Sequence, residues 1–196
     1  MVVPEVNPQA ILKHKGIIAN PNCSTIIMVM ALKPIYDLAK IKRVIVSTYQ
    51  AVSGAGKEGI DELDAQVREH SEGREMTANI LPSASAEKHY PIAFNLIPQI
   101  DVFCDNLYTK EEMKMVNETK KIMEDYEMRI TATTIRVPVY RSHSESVNIE
   151  LEKEVDLGAM REALAKFPGV TVQDDPSKQE YPMPLYTSEK DDVYVG

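Results

Sequence analysis

Cys23 stands in the stretch GIIANPNCSTIIMVMAL, between an Asn-Pro-Asn turn and a run of apolar residues. A thiol in the first turn of a helix feels the positive end of the helix dipole and free backbone N–H groups. Both favour the thiolate, the reactive form. The same N–H groups could stabilise an oxyanion as a carbonyl is attacked. Position alone leaves a second reading open, a small buried hydrophobe, which free cysteines often are. The other cysteine, Cys104 in IDVFCDN, has no such setting and is read as packing.

A cysteine nucleophile needs a proton partner, usually histidine. Of the four histidines, His14 lies among lysines and reads as surface, His70 ends a polar helix, and His89 falls in a loop. His143, in RVPVYRSHSES, falls in the connection between two expected strands, beside hydroxyl residues, a common place for catalytic groups. Arg136 lies among apolar strand residues in TTIRVPV and needs an anionic partner there. Its planar fork suits a carboxylate, either of a substrate or of an internal salt bridge. Gln50 ends the strand VSTYQ and could orient a substrate or simply finish the strand's hydrogen bonding. Glu111 and Lys114 are three apart on one helix face, the spacing of a surface ion pair.

Gly54, Gly56 and Gly59 spell G-x-G-x-x-G between an expected strand and an expected helix, with Glu75 at the distance of an acidic ribose ligand. The following segment, EGREMTANILPSAS, does not read as the second strand of a βαβ unit. A flexible turn, or a turn whose backbone closely approaches a ligand, fits better.

The elements that must position these residues follow from patterning. A helix is expected from about Cys23 or Ser24, apolar on every face and therefore buried all round, with its regular part kinked or ended at Pro34 and room for a second piece through Ile35 to Ala39. KRVIVSTYQAVS reads as a strand, IDELDAQVREH as a helix, and residues 71–98 mainly as loop. TKEEMKMVNETKKIMEDY carries the Thr-x-x-Glu spacing of a capping box, with Met113, Val116 and Met123 at helical spacing. RITATTIRVPV and SESVNIELEKEV read as strands. In the second, Val147, Ile149 and Leu151 alternate with Asn148, Glu150 and Glu152, as in an antiparallel sheet with one wet face. DLGAMREALAKF is a helix and GVTVQDD a short strand. The order predicts an α+β fold with a mixed, largely antiparallel sheet covered by helices on one face. VVPEVNP and DDVYVG, at the two ends, both read as strands, which suggests a piece of a longer protein.

The chain has 196 residues, a hydrophobic content of 43%, a charged content of 27% and a net charge of −8. These totals fit one ordinary globular domain and disfavour nucleic acid or an anionic membrane as partner. Two distant cysteines do not suggest a disulfide scaffold, and a reducing, cytoplasmic setting is expected. No apolar run reaches the ~18 residues of a membrane span.

Together these pieces resemble aspartate-semialdehyde dehydrogenase. NPNCST resembles that family's nucleophile motif, TYQAVSGAG its glutamine-and-glycine segment, IPQID…YTKEEMK…ETKKI its substrate-binding helix, and IRVPV…HSES its arginine–histidine segment. The resemblance implies Cys23 as the nucleophile and His143 as general acid/base. It places Gln50 and Arg136 on the substrate, Glu111 on its amino group and Lys114 on phosphate. Ser53 and Gly54 would lie near the nicotinamide of NADP. It implies a homodimer, and a fold like the C-terminal domain of glyceraldehyde-phosphate dehydrogenase. Residues 1–22 would be the end of a dinucleotide-binding domain otherwise missing, and 23–196 the catalytic and dimerisation domain, truncated at its C-terminus. Thr134 stands where many relatives have a cysteine, with no functional effect expected. Other thioacyl-forming reductases, a non-catalytic dimerisation module and a cysteine hydrolase are the competing readings.

Overall fold

A computed structural model describes residues 1–196. Its centre is a three-stranded sheet made of β1 (Ile41–Gln50), β2 (Arg129–Arg136) and β3 (Ser144–Leu151), in the order β2-β1-β3. The sheet is mixed: β1 runs parallel to β2 and antiparallel to β3. The parallel pair brings Gln50 and Arg136 into register at the same end of the sheet. Three helices precede β2: α1 (Cys23–Leu38), α2 (Gly56–Ser71) and α3 (Lys110–Met123). After β3 come α4 (Leu157–Lys166), β4 (Val170–Val172), a single helical turn α5 (Pro184–Thr187) and β5 (Val193–Val195), with β4 and β5 paired parallel.

The strands are rich in β-branched residues, and one face of the sheet is buried. Val44, Val46 and Ala132 pack with Met28 and Leu32 of α1 and Met115 of α3. On the other face Ile45 and Tyr49 are exposed, so helices cover one side only, as the patterning predicts. A second apolar cluster joins Val29 and Met30 to Val3, Val6, Ile122, Leu164 and Val170. A third, around Val52, Leu63, Leu81 and Ile92, holds α2 and the long loop against the end of β1. Residues 72–109 form that loop, close to the expected span. Its backbone is tied down by Gln66, whose Oε1 accepts from Ile92 and Ala93 N–H at 2.9 and 3.0 Å.

Four expectations change. VVPEVNP is not a strand but turns leading into a 3-10 helix at Pro8–Lys13; Pro4 and Pro8 lack the N–H that a sheet ladder needs. Helix α1 runs through Pro34 without ending, because apolar packing holds both halves to the sheet and Tyr36 Oη donates to Asp125 at 2.8 Å. It is not buried all round either: Ile26, Ile27, Ala31 and Ile35 are half-buried along a cavity. In α3 the buried stripe is Glu111, Glu112, Met115, Thr119 and Ile122, not the stripe through Met113, Val116 and Met123. Two carboxylates occupy the inner face because each has backbone or amide donors waiting for it, which a hydrophobic pattern cannot register.

The capping box at the start of α3 is complete. Thr109 Oγ1 accepts from Glu112 N–H at 3.2 Å, and Glu112 Oε2 accepts from Thr109 N–H at 2.8 Å. Glu112 Oε1 also accepts from Thr134 N–H at 3.1 Å, fastening α3 to β2. Thr109→Ala should therefore lower unfolding free energy by about 1 kcal/mol, read as a lower urea midpoint at constant slope.

Candidate active site

Cys23 is the first residue of α1. Asn22 caps the helix, its Oδ1 accepting from Thr25 N–H at 3.1 Å. The Asn22 side chain also donates to Glu111 Oε1 at 2.8 Å, and its backbone N–H donates to Glu118 Oε2 at 2.7 Å. The turn before Cys23 is thus held to α3 at two points. Gln50, at the end of β1, donates to the same Glu111 Oε1 at 3.2 Å. Lys114 reaches Glu111 Oε2 at 3.4 Å and Asp101 Oδ2 at 3.3 Å. The expected surface pair of Glu111 and Lys114 exists, but Glu111 is only 5% exposed, so it is a buried carboxylate rather than a solvated contact.

The parallel register sets Arg136 beside Gln50, and Ala51 then serves both Arg136 and His143. Arg136 Nη1 donates to the Ala51 carbonyl at 2.6 Å, while Ala51 N–H donates to His143 Nδ1 at 3.0 Å. The connection after β2 is strapped to the segment after β1, with Val52 N–H donating to the Val139 carbonyl and Ser53 N–H to Tyr140. Ser142 takes a left-handed φ of 69° immediately before His143, turning the chain into β3. A Cβ on Gly54 would stand 2.6 Å from Arg136 Nη1 and 3.3 Å from His143 Cε1, so only glycine lets the turn approach both. The glycine segment is therefore part of this site. Its Gly56 has a φ of 80°, Glu75 is exposed in the loop, and no dinucleotide-type βαβ unit follows.

Cys23, Ser53 and His143 line one cavity of about 730 Å³. Gln50, Glu111 and Arg136 are not in its lining but are joined to it through Asn22, Ala51 and Gly54. Arg136 is 3% exposed, and its Nε is buried without a partner. Its side-chain bond goes to a neutral carbonyl, so an internal salt bridge is not what holds it. Burial pulls its pKa down, opposed by the charges of Glu111 and Cys23. Burial also lowers His143, to about 4, with the Arg136 charge adding and Glu111 opposing. The ring is neutral at pH 7, and accepting the Ala51 N–H on Nδ1 places its proton on Nε2.

Cys23 departs from expectation. Burial and then the Glu111 carboxylate raise its pKa, while the nearby Ser24 amide and hydroxyl and its own amide pull the other way and lose. The residue is exposed as a whole, so water tempers the burial contribution and the Glu111 charge is the specific cause. In this state the pair is a thiol and a neutral imidazole, not an ion pair. Burial works to lower Lys114, but Glu111 and Asp101 outweigh it and hold its ammonium above the usual range.

The structure brings together Cys23, Gln50, Ser53, Gly54, Glu111, Lys114, Arg136 and His143. His14, His70 and His89 lie elsewhere, and Cys104 is half-buried in the loop. Asn22 and Asp101 were missed as partners. Asn22 carried a signal, since an asparagine before a helix is a cap with a spare amide. Asp101 carried none.

The chain belongs to the family described as "Semialdehyde dehydrogenase, dimerisation domain", which matches residues 32–196. It is 54% identical to aspartate-semialdehyde dehydrogenase of Aquifex aeolicus over its whole length and 56% of that protein. The Bacillus subtilis enzyme of the same name is 53% identical, again over the whole chain and 57% of the relative. Among solved structures, aspartate semialdehyde dehydrogenase II of Vibrio cholerae, complexed with ASA, superposes with a TM-score of 0.91 at 45% identity, covering 100% of this chain and 56% of that one. The chain thus spans just over half the length of the relatives it matches.

The charge relation is directly testable. Glu111→Gln removes a negative charge that opposes the thiolate, so the pH midpoint for alkylation of Cys23 by iodoacetamide should move down relative to the parent chain. A midpoint that stays or rises would show that the Glu111 charge does not reach the thiol.

Proposed function

We propose that the protein to which this chain belongs reduces L-aspartyl 4-phosphate to L-aspartate 4-semialdehyde with NADPH. The observation that carries the reading is Arg136: a buried guanidinium with an unpartnered Nε, beside Gln50, and near enough to Cys23 and His143 for their charges to interact. An anionic substrate carboxylate would give that fork its missing partner. Glu111 and Lys114 supply opposite charges nearby, suited to the substrate ammonium and to phosphate.

In this reading Cys23 Sγ attacks the acyl carbon as the thiolate. The carbon–oxygen bond to phosphorus breaks, phosphate leaves with the electron pair, and a thioester forms on Cys23. Bound NADPH would supply the hydride that reduces the thioester carbon. The carbon–sulfur bond then breaks, releasing the aldehyde and restoring the thiolate. One proton is taken up overall. His143, with its proton on Nε2 in the state described, donates toward the oxyanion that develops on the substrate carbonyl and exchanges protons with Cys23 between turnovers. A substrate ammonium on Glu111 would also cancel the charge that raises the Cys23 pKa, so the thiol becomes reactive as substrate arrives.

The residues present fit a nicotinamide cofactor: Ser53 opens on the same cavity as Cys23, and Gly54 keeps the turn free of a side chain. Residues 1–22 would connect to a dinucleotide-binding domain, with Val3 and Val6 anchoring them in the second cluster. The exposed sheet face around Ile45 and Tyr49 suits a second copy, giving a homodimer. The net charge of −8 accords with a cytoplasmic enzyme that has no nucleic-acid or membrane partner.

The test uses the full-length parent. Cys23→Ala should lower turnover on the order of a thousandfold or more, while NADPH binding persists. Arg136→Ala should lower kcat/KM for aspartyl phosphate by roughly a hundredfold. Turnover of N-acetylglutamyl phosphate or a glyceroyl phosphate in preference to aspartyl phosphate would overturn the substrate assignment.

A further inference from the structure

Several polar groups along the Cys23 cavity have partners. Ser142 Oγ lies 3.2 Å from Thr187 Oγ1, and His143 Nδ1 accepts from Ala51. Glu145 does not fit this pattern. It shares the inward parity of Val147 and Ile149 on β3 and stands opposite Thr48 of β1. Its Oε1 is buried with no hydrogen-bond partner, yet the residue lines the cavity. A buried polar atom left unpaired costs roughly 1–3 kcal/mol. At a cavity wall beside the nucleophile, a ligand is the group that removes the cost.

The surroundings select the ligand's chemistry. Besides Glu145, the charged and titratable side chains on the cavity are Cys23 from α1, His143 from the turn into β3, Lys190, Asp191 and Asp192 from the segment before β5, and Tyr194 of β5; β1 offers the neutral Thr48. Lys190 lies over the Tyr194 ring, 5.3 Å from its centroid. Asp191 and Asp192 outnumber Lys190 in the lining and disfavour an anion. Burial raises the Glu145 pKa to about 8, so at neutral pH the side chain is a carboxylic acid. An acid presents a donor and an acceptor side by side. The neutral group that answers both at once is a primary carboxamide, whose oxygen accepts and whose NH2 donates.

We propose that Glu145 is a cofactor-positioning residue that pairs with the carboxamide of a nicotinamide ring seated in the Cys23 cavity, fixing the ring's orientation toward the nucleophile. This rests on the NADPH reading above. Glutamine keeps one donor and one acceptor in the same place and should substitute for the acid. Ionisation of the acid removes the donor, so the pair weakens as pH rises through about 8.

The experiment is NADPH binding to the full-length parent, followed by cofactor fluorescence across pH 6.5–9.5, as roughly brackets that value. Glu145→Ala should weaken NADPH about tenfold and raise its KM more than it lowers kcat, whereas Glu145→Gln should stay within about threefold. Wild-type affinity should fall as pH passes 8, and that fall should be missing in Glu145→Gln. An analogue with acetyl in place of the carboxamide keeps the accepting oxygen and loses the NH2 donor, so the affinity gap between wild type and Glu145→Ala should be smaller for it than for NADPH. If wild type binds NADPH and turns over, but Glu145→Ala binds as tightly, or Glu145→Gln keeps the same fall with pH, this inference is overturned and the reaction assignment stands. If wild type does not bind NADPH, both fall. Should Glu145→Ala fail to fold, the pH comparison of wild type with Glu145→Gln decides.

Discussion

One buried carboxylate organises the site. Glu111 Oε1 accepts from Asn22 and Gln50, and its Oε2 faces Lys114. Those partners belong to the turn before α1, to the end of β1 and to α3 itself. A carboxylate taken out of water without donors would be costly, and these three bonds offset that cost only when all three elements are in place. The position of Cys23 relative to Gln50 is therefore a by-product of solvating Glu111. The same charge acts on Cys23, Arg136 and His143, so geometry and electrostatics have a common origin.

Arg136 is the counterpart. Its charge is buried, half-bonded to a carbonyl, and works against a second positive charge on His143. Burial keeps the imidazole neutral, and that charge adds to the effect. A neutral ring can also keep its bond from Ala51 N–H, which an imidazolium could not accept on Nδ1. One peptide unit, at Ala51, thus orients a cation with its carbonyl and an imidazole with its amide.

Much of this was legible before any coordinates. The order of strands and helices and the capping box at Thr109 came from residue types and their spacing, whereas the grouping of Cys23, Gln50, Arg136 and His143 came from the family resemblance. What failed did so for physical reasons. The ionisation of Cys23 was misjudged because the dipole of its helix is local and visible, whereas Glu111 arrives from 89 residues away through its contact with Asn22. The inner stripe of α3 was misplaced because Glu111 and Glu112 were counted as solvent-seeking. TTIRVPV does not distinguish a substrate partner from an internal salt bridge for Arg136; folded, its Nη1 donates to a carbonyl and its Nε has no partner. Glu145 had a signal that was passed over: a carboxyl at the parity of Val147 and Ile149 on an otherwise apolar face.

The parallel pairing of β1 with β2 bears on how the site comes into being. Hairpins form from neighbours, but a parallel pair needs its intervening chain wound across first. Arg136 meets Ala51 across 85 residues of sequence, and His143 meets it across 92. Contacts of such span form late, since loop closure must be completed before they contribute. A partly folded chain can hold α1, with its thiol at the helix start, while the guanidinium and imidazole are still apart. The arrival of Arg136 and His143 near the Cys23 cavity is thus coupled to closure of these long connections, so the thiol is in place before its surroundings are.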